Sequence, residues 1–196
     1  MRTRLMSCAI VCCLMWYYVV PPAFAVDKFG DVPSAPEKIF CYDAVEWAVE
    51  SKVTGGFKDG TFRPRETCTK KQSLTFLWRH FVKNKNPDRY QNCNDMEEAT
   101  KWAVNMGMES SGFDENAPCS RADFVRYLYK AVGCPDVNLS GLEETFQDVT
   151  RVASYATAVM WAYRNDITKG VDVGFFGPDV YCNRGQIMTF LWRYAK

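Results

Sequence analysis

Apolar residues recur along this chain with helical spacing, in pairs of segments separated by polar, glycine-rich loops. In the first pair, Ala44, Val45, Trp47 and Ala48 cluster on one helical face. After a loop, Leu74, Leu77, Trp78 and Phe81 form a second stripe. The pattern returns with Trp102-Ala103-Val104 followed by Phe124, Tyr127, Leu128 and Ala131. It returns again with Ala158, Val159, Trp161 and Ala162 followed by Ile187, Phe190, Leu191 and Tyr194. Each pair predicts helix, loop, helix. The loops hold turn formers: Thr54-Gly55-Gly56, then Asp59-Gly60-Thr61-Phe62-x-Pro64. The second helices carry stripes wider than a surface helix needs. Each is expected to pack against its own first helix and against its two counterparts, giving a pseudo-threefold bundle.

The periodicity reflects an internal repeat. Residues 42–79 align without a gap to residues 156–193, and Thr75-Phe76-Leu77-Trp78-Arg79 matches Thr189-Phe190-Leu191-Trp192-Arg193. Phe-x-Asp-Val precedes both copies, as Phe29-Gly30-Asp31-Val32 and Phe146-Gln147-Asp148-Val149. The middle copy is degenerate. Its loop is about four residues shorter, and Tyr90-Gln91-Asn92-Cys93 is a weak stand-in for Phe-x-Asp-Val. The expected boundaries are 26–82, 88–133 and 144–196, with polar linkers at 82–95 and 133–145.

Residues 1–25 read as an export signal. Arg2 and Arg4 precede an apolar run from Leu5 to Val20, and Ala23-Phe24-Ala25 fits a small-x-small cleavage site. The alternative is an uncleaved anchor. Cleavage would leave about 170 residues, enough for one good core. The formal charge would move from +1 to about −1 on loss of two arginines. No overall basic field for nucleic acid results, and no membrane association is expected after cleavage.

Cys8, Cys12 and Cys13 would leave with the signal. Six cysteines remain, and an even count in an exported chain permits disulfides. Cys68, Cys119 and Cys182 share one slot of the repeat, which favours a small half-buried apolar role. Cys93 and Cys134 lie outside that slot and are the best candidates for a pair. With His80 as the single histidine and no Cys-x-x-Cys spacing, neither a structural zinc site nor any other metal or cofactor is expected. His80 itself falls in the last turn of a helix, where a surface role favoured by the dipole suffices.

Each second helix begins with a capping signature: Thr69 with Gln72, Ser120 with Asp123, Asn183 with Gln186. Just inside each cap lies a cation, Lys70, Arg121 or Arg184. A cation there opposes the helix dipole, so its threefold recurrence calls for a reason. An anion at the helix end, held jointly by free backbone N–H groups and the side chain, would supply one.

These motifs resemble the S-layer homology (SLH) family. Phe-x-Asp-Val, Ala-Val-x-Trp-Ala, Val53-Thr54-Gly55-Gly56, Asp59-Gly60-Thr61-Phe62-Arg63-Pro64 and Cys68-Thr69-Lys70-Lys71-Gln72 carry the resemblance. It covers nearly all of the chain after residue 25, specifically in the first and third repeats and weakly in the second. The resemblance implies a mainly α fold of three helix-loop-helix repeats. They would form a pseudo-threefold SLH trimer with a central three-helix bundle and grooves between neighbours. It also implies a noncatalytic module, secreted to the bacterial cell wall, that binds anionic secondary cell-wall polysaccharide, often pyruvylated and linked to peptidoglycan. The family's Thr-Arg-Ala-Glu arginine falls at Lys70, Arg121 and Arg184; as expected ligand contacts, Arg184 ranks first, Lys70 second and Arg121 third. Gly56 and Gly170 are secondary candidates, and Thr69, Gln72, Asn183 and Gln186 flank the cations. A structural role that retains the fold while binding other surface proteins is the alternative. The repeats leave no stretch for a catalytic domain.

Overall fold

The computed structural model describes residues 28–34 and 38–196. The expected export signal, with Cys8, Cys12 and Cys13, lies outside the described residues. The fold is mainly helical. The principal helices are α1 (Tyr42–Glu50), α2 (Lys70–Phe81), α3 (Asp95–Asn105), α4 (Arg121–Ala131), the short α5 (Leu142–Thr145), α6 (Ala156–Arg164) and α7 (Arg184–Ala195). Among the described residues none is long and apolar enough to cross a membrane.

Three helix-loop-helix units follow: α1 with α2, α3 with α4, and α6 with α7. Each first helix ends in the same way. Lys52, Gly107 and Asp166 adopt left-handed φ values of 56°, 64° and 56°. The next residue then donates its N–H back to Ala48, Ala103 or Ala162. This is the Schellman arrangement, and it turns the chain sharply into the loop.

The packing order differs from the expectation. The closest helix partner of each second helix is the first helix of a neighbouring unit: α1 on α7, α3 on α2, α6 on α4. Contact with a unit's own first helix comes through side chains, such as Trp47 against His80 at 5.5 Å. The long loops between paired helices, at 51–69, 106–120 and 165–183, allow this. They carry each first helix across to the neighbouring unit, and the three straps close into a ring. In the centre α2 packs on α4, and Phe124 of α4 stacks on Phe190 of α7 at 5.7 Å.

A ring of backbone hydrogen bonds marks the pseudo-threefold axis. Cys68 N–H donates to Cys182 O, Cys119 N–H to Cys68 O, and Cys182 N–H to Cys119 O, each at 2.9 Å. All three cysteines are fully buried. Burial pushes the Cys68 and Cys182 thiols up to about 12 and Cys119 well above its ordinary value. Thiols so far from ionisation are inert, as the apolar-slot reading requires. The pairing of Cys93 with Cys134 is not formed. All six described cysteines are free. Cys93 lies beside Tyr90 and Asp95, while Cys134 is exposed beyond the end of α4.

The linkers are more ordered than their polarity suggested. Residues 83–85 and 88–90 form short 3-10 turns. Tyr90 packs edge-on against Trp78 at 5.0 Å. His80 is half-buried among Trp47, Phe81 and Tyr194, which corrects the expected surface role. Burial, and secondarily Lys85, lowers its pKa.

Candidate ligand-binding grooves

All three capping boxes are formed. Thr69, Ser120 and Asn183 accept from the N–H of Gln72, Asp123 and Gln186, whose side chains accept from the cap N–H in return. The next two N–H groups of each helix are also taken. Lys70 and Lys71 donate to Ala117 O and Glu115 O. Arg121 and Ala122 donate to Val180 O and Pro178 O, and Arg184 and Gly185 to Glu66 O and Pro64 O. The helix starts are therefore buttressed by the strap of the neighbouring unit. An anion held jointly by free N–H groups and a cation is excluded, because those N–H groups are consumed. Any anion must be held by side chains.

The Phe-x-Asp-Val motif fixes the strap that makes each groove. The Asp31 carboxylate accepts from Phe62 N–H at 2.8 Å and Arg63 N–H at 2.7 Å. Asp148 does the same for Phe176 and Gly177 at 2.8 and 2.7 Å. Gly56 has φ +74°, and a Cβ there would lie 2.1 Å from the Phe29 ring. Gly170, at φ +95°, would place a Cβ 2.3 Å from Phe175 O. Both glycines are demanded by the backbone.

The Arg184 side chain is buried and reaches into the first unit's strap. Its Nε donates to Phe62 O at 2.8 Å. The guanidinium lies over the rings of Phe57, Phe62 and Phe76 at 4.6, 4.7 and 5.3 Å. Arg184 then forms part of the wall of a cavity of about 240 Å³, with Thr54, Gly56, Phe57, Gln72, Thr75, Phe76, Arg79 and Met96. Two arginines line this space, but Arg79 is already spent, its Nε on the Asp95 carboxylate at 2.7 Å and its Nη1 on Val53 O at 3.2 Å, which leaves Arg184 as the lining cation with no carboxylate partner. Burial lowers the Arg184 pKa, yet a guanidinium stays charged at neutral pH.

Arg121 is buried in the same way against the last unit. It donates to Phe176 O at 2.9 Å and to Thr168 Oγ1 at 3.1 Å, and it stacks over Phe176 and Phe190. Its side chain has two hydrogen-bond acceptors where that of Arg184 has one. Lys70 is different again. Its Nζ lies 3.0 Å from Glu109 and 4.0 Å from Asp123, so it already has anionic partners.

Of the sequence candidates, Arg184, Gly56 and Gln72 meet in one cavity. Thr69, Asn183 and Gln186 are engaged as caps, and Gly170 shapes the strap below Arg121. Sequence reasoning missed Thr75, Arg79 and Met96 in the cavity, and Glu109 beside Lys70. Glu109 was accessible in principle, because it aligns with Thr54 and Thr168.

No curated protein matches the chain. The family model for the S-layer homology domain matches residues 28–72 and 145–188 and leaves the middle unit unmatched. Both matches run from the Phe-x-Asp-Val strap anchor into the capped start of a second helix, so they take in the first and last straps, while Thr75, Phe76, Arg79 and Met96 of the cavity lie outside them. Domains of this kind are non-enzymatic modules that anchor proteins at the cell wall or surface, and the two matches support an SLH domain protein with two detected repeats.

Proposed function

We propose that the protein is a noncatalytic tether that holds anionic, pyruvylated secondary cell-wall polysaccharide in the groove at Arg184, outside the cell. The observation that carries this is the Arg184 guanidinium, which has no carboxylate partner among the described residues and stands in the wall of a cavity with no acidic lining residue. A planar guanidinium suits a carboxylate, and the rings of Phe57, Phe62 and Phe76 packed around it hold that of Arg184 in place. Residues 88–133 act in this reading as a third, divergent repeat that completes the ring. Residues 1–25 serve as the export signal.

The test is sedimentation of residues 26–196 with purified cell-wall sacculi, before and after chemical removal of the polysaccharide. Lys70→Ala, Arg121→Ala, Arg184→Ala and Arg184→Lys run alongside, each checked for folding by circular dichroism. Binding to intact walls alone, weakened most at Arg184 in a folded variant, is the expected result. Equal binding to stripped walls would sink the proposal.

A second reading is a structural protein that binds surface partners. Val171, Val173, Phe175, Val180 and Tyr181 of the last unit are all exposed. They align with Phe57, Asp59, Thr61, Glu66 and Thr67 of the first. Four of these five positions are thus polar in the first strap and apolar or aromatic in the last. Self-association without polysaccharide binding would favour this reading.

A further inference from the structure

The groove at Lys70 has the same backbone frame as the other two but a different lining. Position by position, Glu109 stands where the others have Thr54 and Thr168, Arg126 where they have Thr75 and Thr189, and Tyr127 where they have Phe76 and Phe190. These three side chains interlock. The Glu109 carboxylate accepts from Lys70 Nζ at 3.0 Å, from Arg126 Nη2 at 3.3 Å and from the Tyr127 hydroxyl. Arg126 is held in place by Met108 O and by Asp123 at 3.1 Å. The Glu109 side chain is only 12% exposed, and that of Lys70 21%.

We infer that Glu109 is a resident anion: its carboxylate occupies the cation site of this groove and closes it to external ligands. The inference rests on the reading of the grooves as anion sites. The physical reason is direct. An incoming carboxylate would have to displace one that is already covalently attached, mostly buried and held by three donors. A tethered group of this kind competes at high effective concentration. It would also meet repulsion from Asp123, 4.0 Å from Lys70. The protein would then discriminate among its own grooves, with the Lys70 groove serving as a closed joint between the first and middle units.

The test restores the threonines. Wild type, Glu109→Gln and the double variant Glu109→Thr/Arg126→Thr are titrated with the methyl glycoside of a 4,6-pyruvylated hexose, following backbone amide shifts. In wild type, amides near Arg184 and Gly56 should move while those near Lys70 and Glu109 stay still. In the double variant the second set should move too, the stoichiometry should rise by one site, and adding Lys70→Ala should abolish the gain. Movement of the Lys70 set in wild type overturns the inference, as does a folded double variant with no new site. Glu109→Gln, which keeps the side chain's shape, should gain the site weakly and covers the case of a double variant that fails to fold. If no groove in any variant responds to the glycoside, the polysaccharide reading fails by itself. The resident anion is then judged with sulfate. A sulfate-dependent rise in Tm, larger in the double variant than in wild type and lost with Lys70→Ala, upholds it. Equal sulfate dependence overturns it.

Discussion

The Arg184 groove and the Lys70 groove share one backbone plan and end in opposite electrostatic states. Both have a capped helix start and a strap that takes the first two N–H groups. In one, a buried arginine donates to a single carbonyl and lines an acid-free cavity. In the other, a lysine faces a carboxylate of the same chain. The difference lies in a few side chains on a constant frame. Because the helix N–H groups are spent on holding the units together, the dipole contributes no direct contacts to a ligand. Recognition falls to the side chain inside each cap and to what stands opposite it.

That contrast can be broken at several points. The largest effect is expected from Arg184→Ala, which should abolish wall binding. It should also cost roughly 2–4 kcal/mol of stability, since Phe62 O loses a buried donor and three rings lose their neighbour. Lys70→Ala should leave wall binding unchanged and cost about 1 kcal/mol, as Glu109 keeps two other partners. Urea unfolding and sedimentation together read both. Next comes the strap. Gly56→Ala forces a Cβ into the Phe29 ring at a left-handed φ and should cost about 3 kcal/mol. At the aligned, exposed Ser111 of the middle unit, alanine should stay within about 0.5 kcal/mol of wild type. Asp31→Asn replaces a charged acceptor of two backbone bonds and should cost about 2 kcal/mol, with a matching loss in the Arg184 groove as its strap loosens. Calorimetry beside glycoside titration checks both parts.

The smallest effect concerns His80, the half-buried member of the aromatic cluster. Its folded pKa is lowered from the ordinary 6.5 by burial. Above that value the ring is neutral in both states, so it contributes no pH dependence. Below it the unfolded chain takes the proton first, and stability falls with pH until the folded state also protonates. His80→Phe should remove this slope, worth less than about 1 kcal/mol, in unfolding curves taken between pH 7 and pH 5.

Much of this frame is legible in the sequence. Helical spacing gives the helices, the Thr-x-x-Gln box places the start of α2, and the paired Phe-x-Asp-Val motifs flag a constraint that proves to be a carboxylate gripping a strap. The partner of each helix is not legible, since local periodicity says which face is buried and not which neighbour buries it. The anion site expected at a free helix end fails for a related reason. Whether Lys70, Arg121 and Arg184 have idle N–H groups depends on carbonyls of loops 40 to 120 residues away, such as Pro64 O for Gly185. The resident carboxylate shows only when the degenerate unit is aligned through its departures, with Glu109 set against Thr54, and not through its matches.

The contact of α1 on α7 joins the first unit to the last. Open repeat arrays grow by addition and need specialised polar repeats to seal each end. Here the first unit's strap seals the last unit's second helix, so neither end is left unsealed. Among the described residues three helix-loop-helix units close on one another, with the three-membered ring of cysteine backbone bonds at the hub. A fourth unit inserted by duplication would have no seat in that ring and would have to remain outside it or open it.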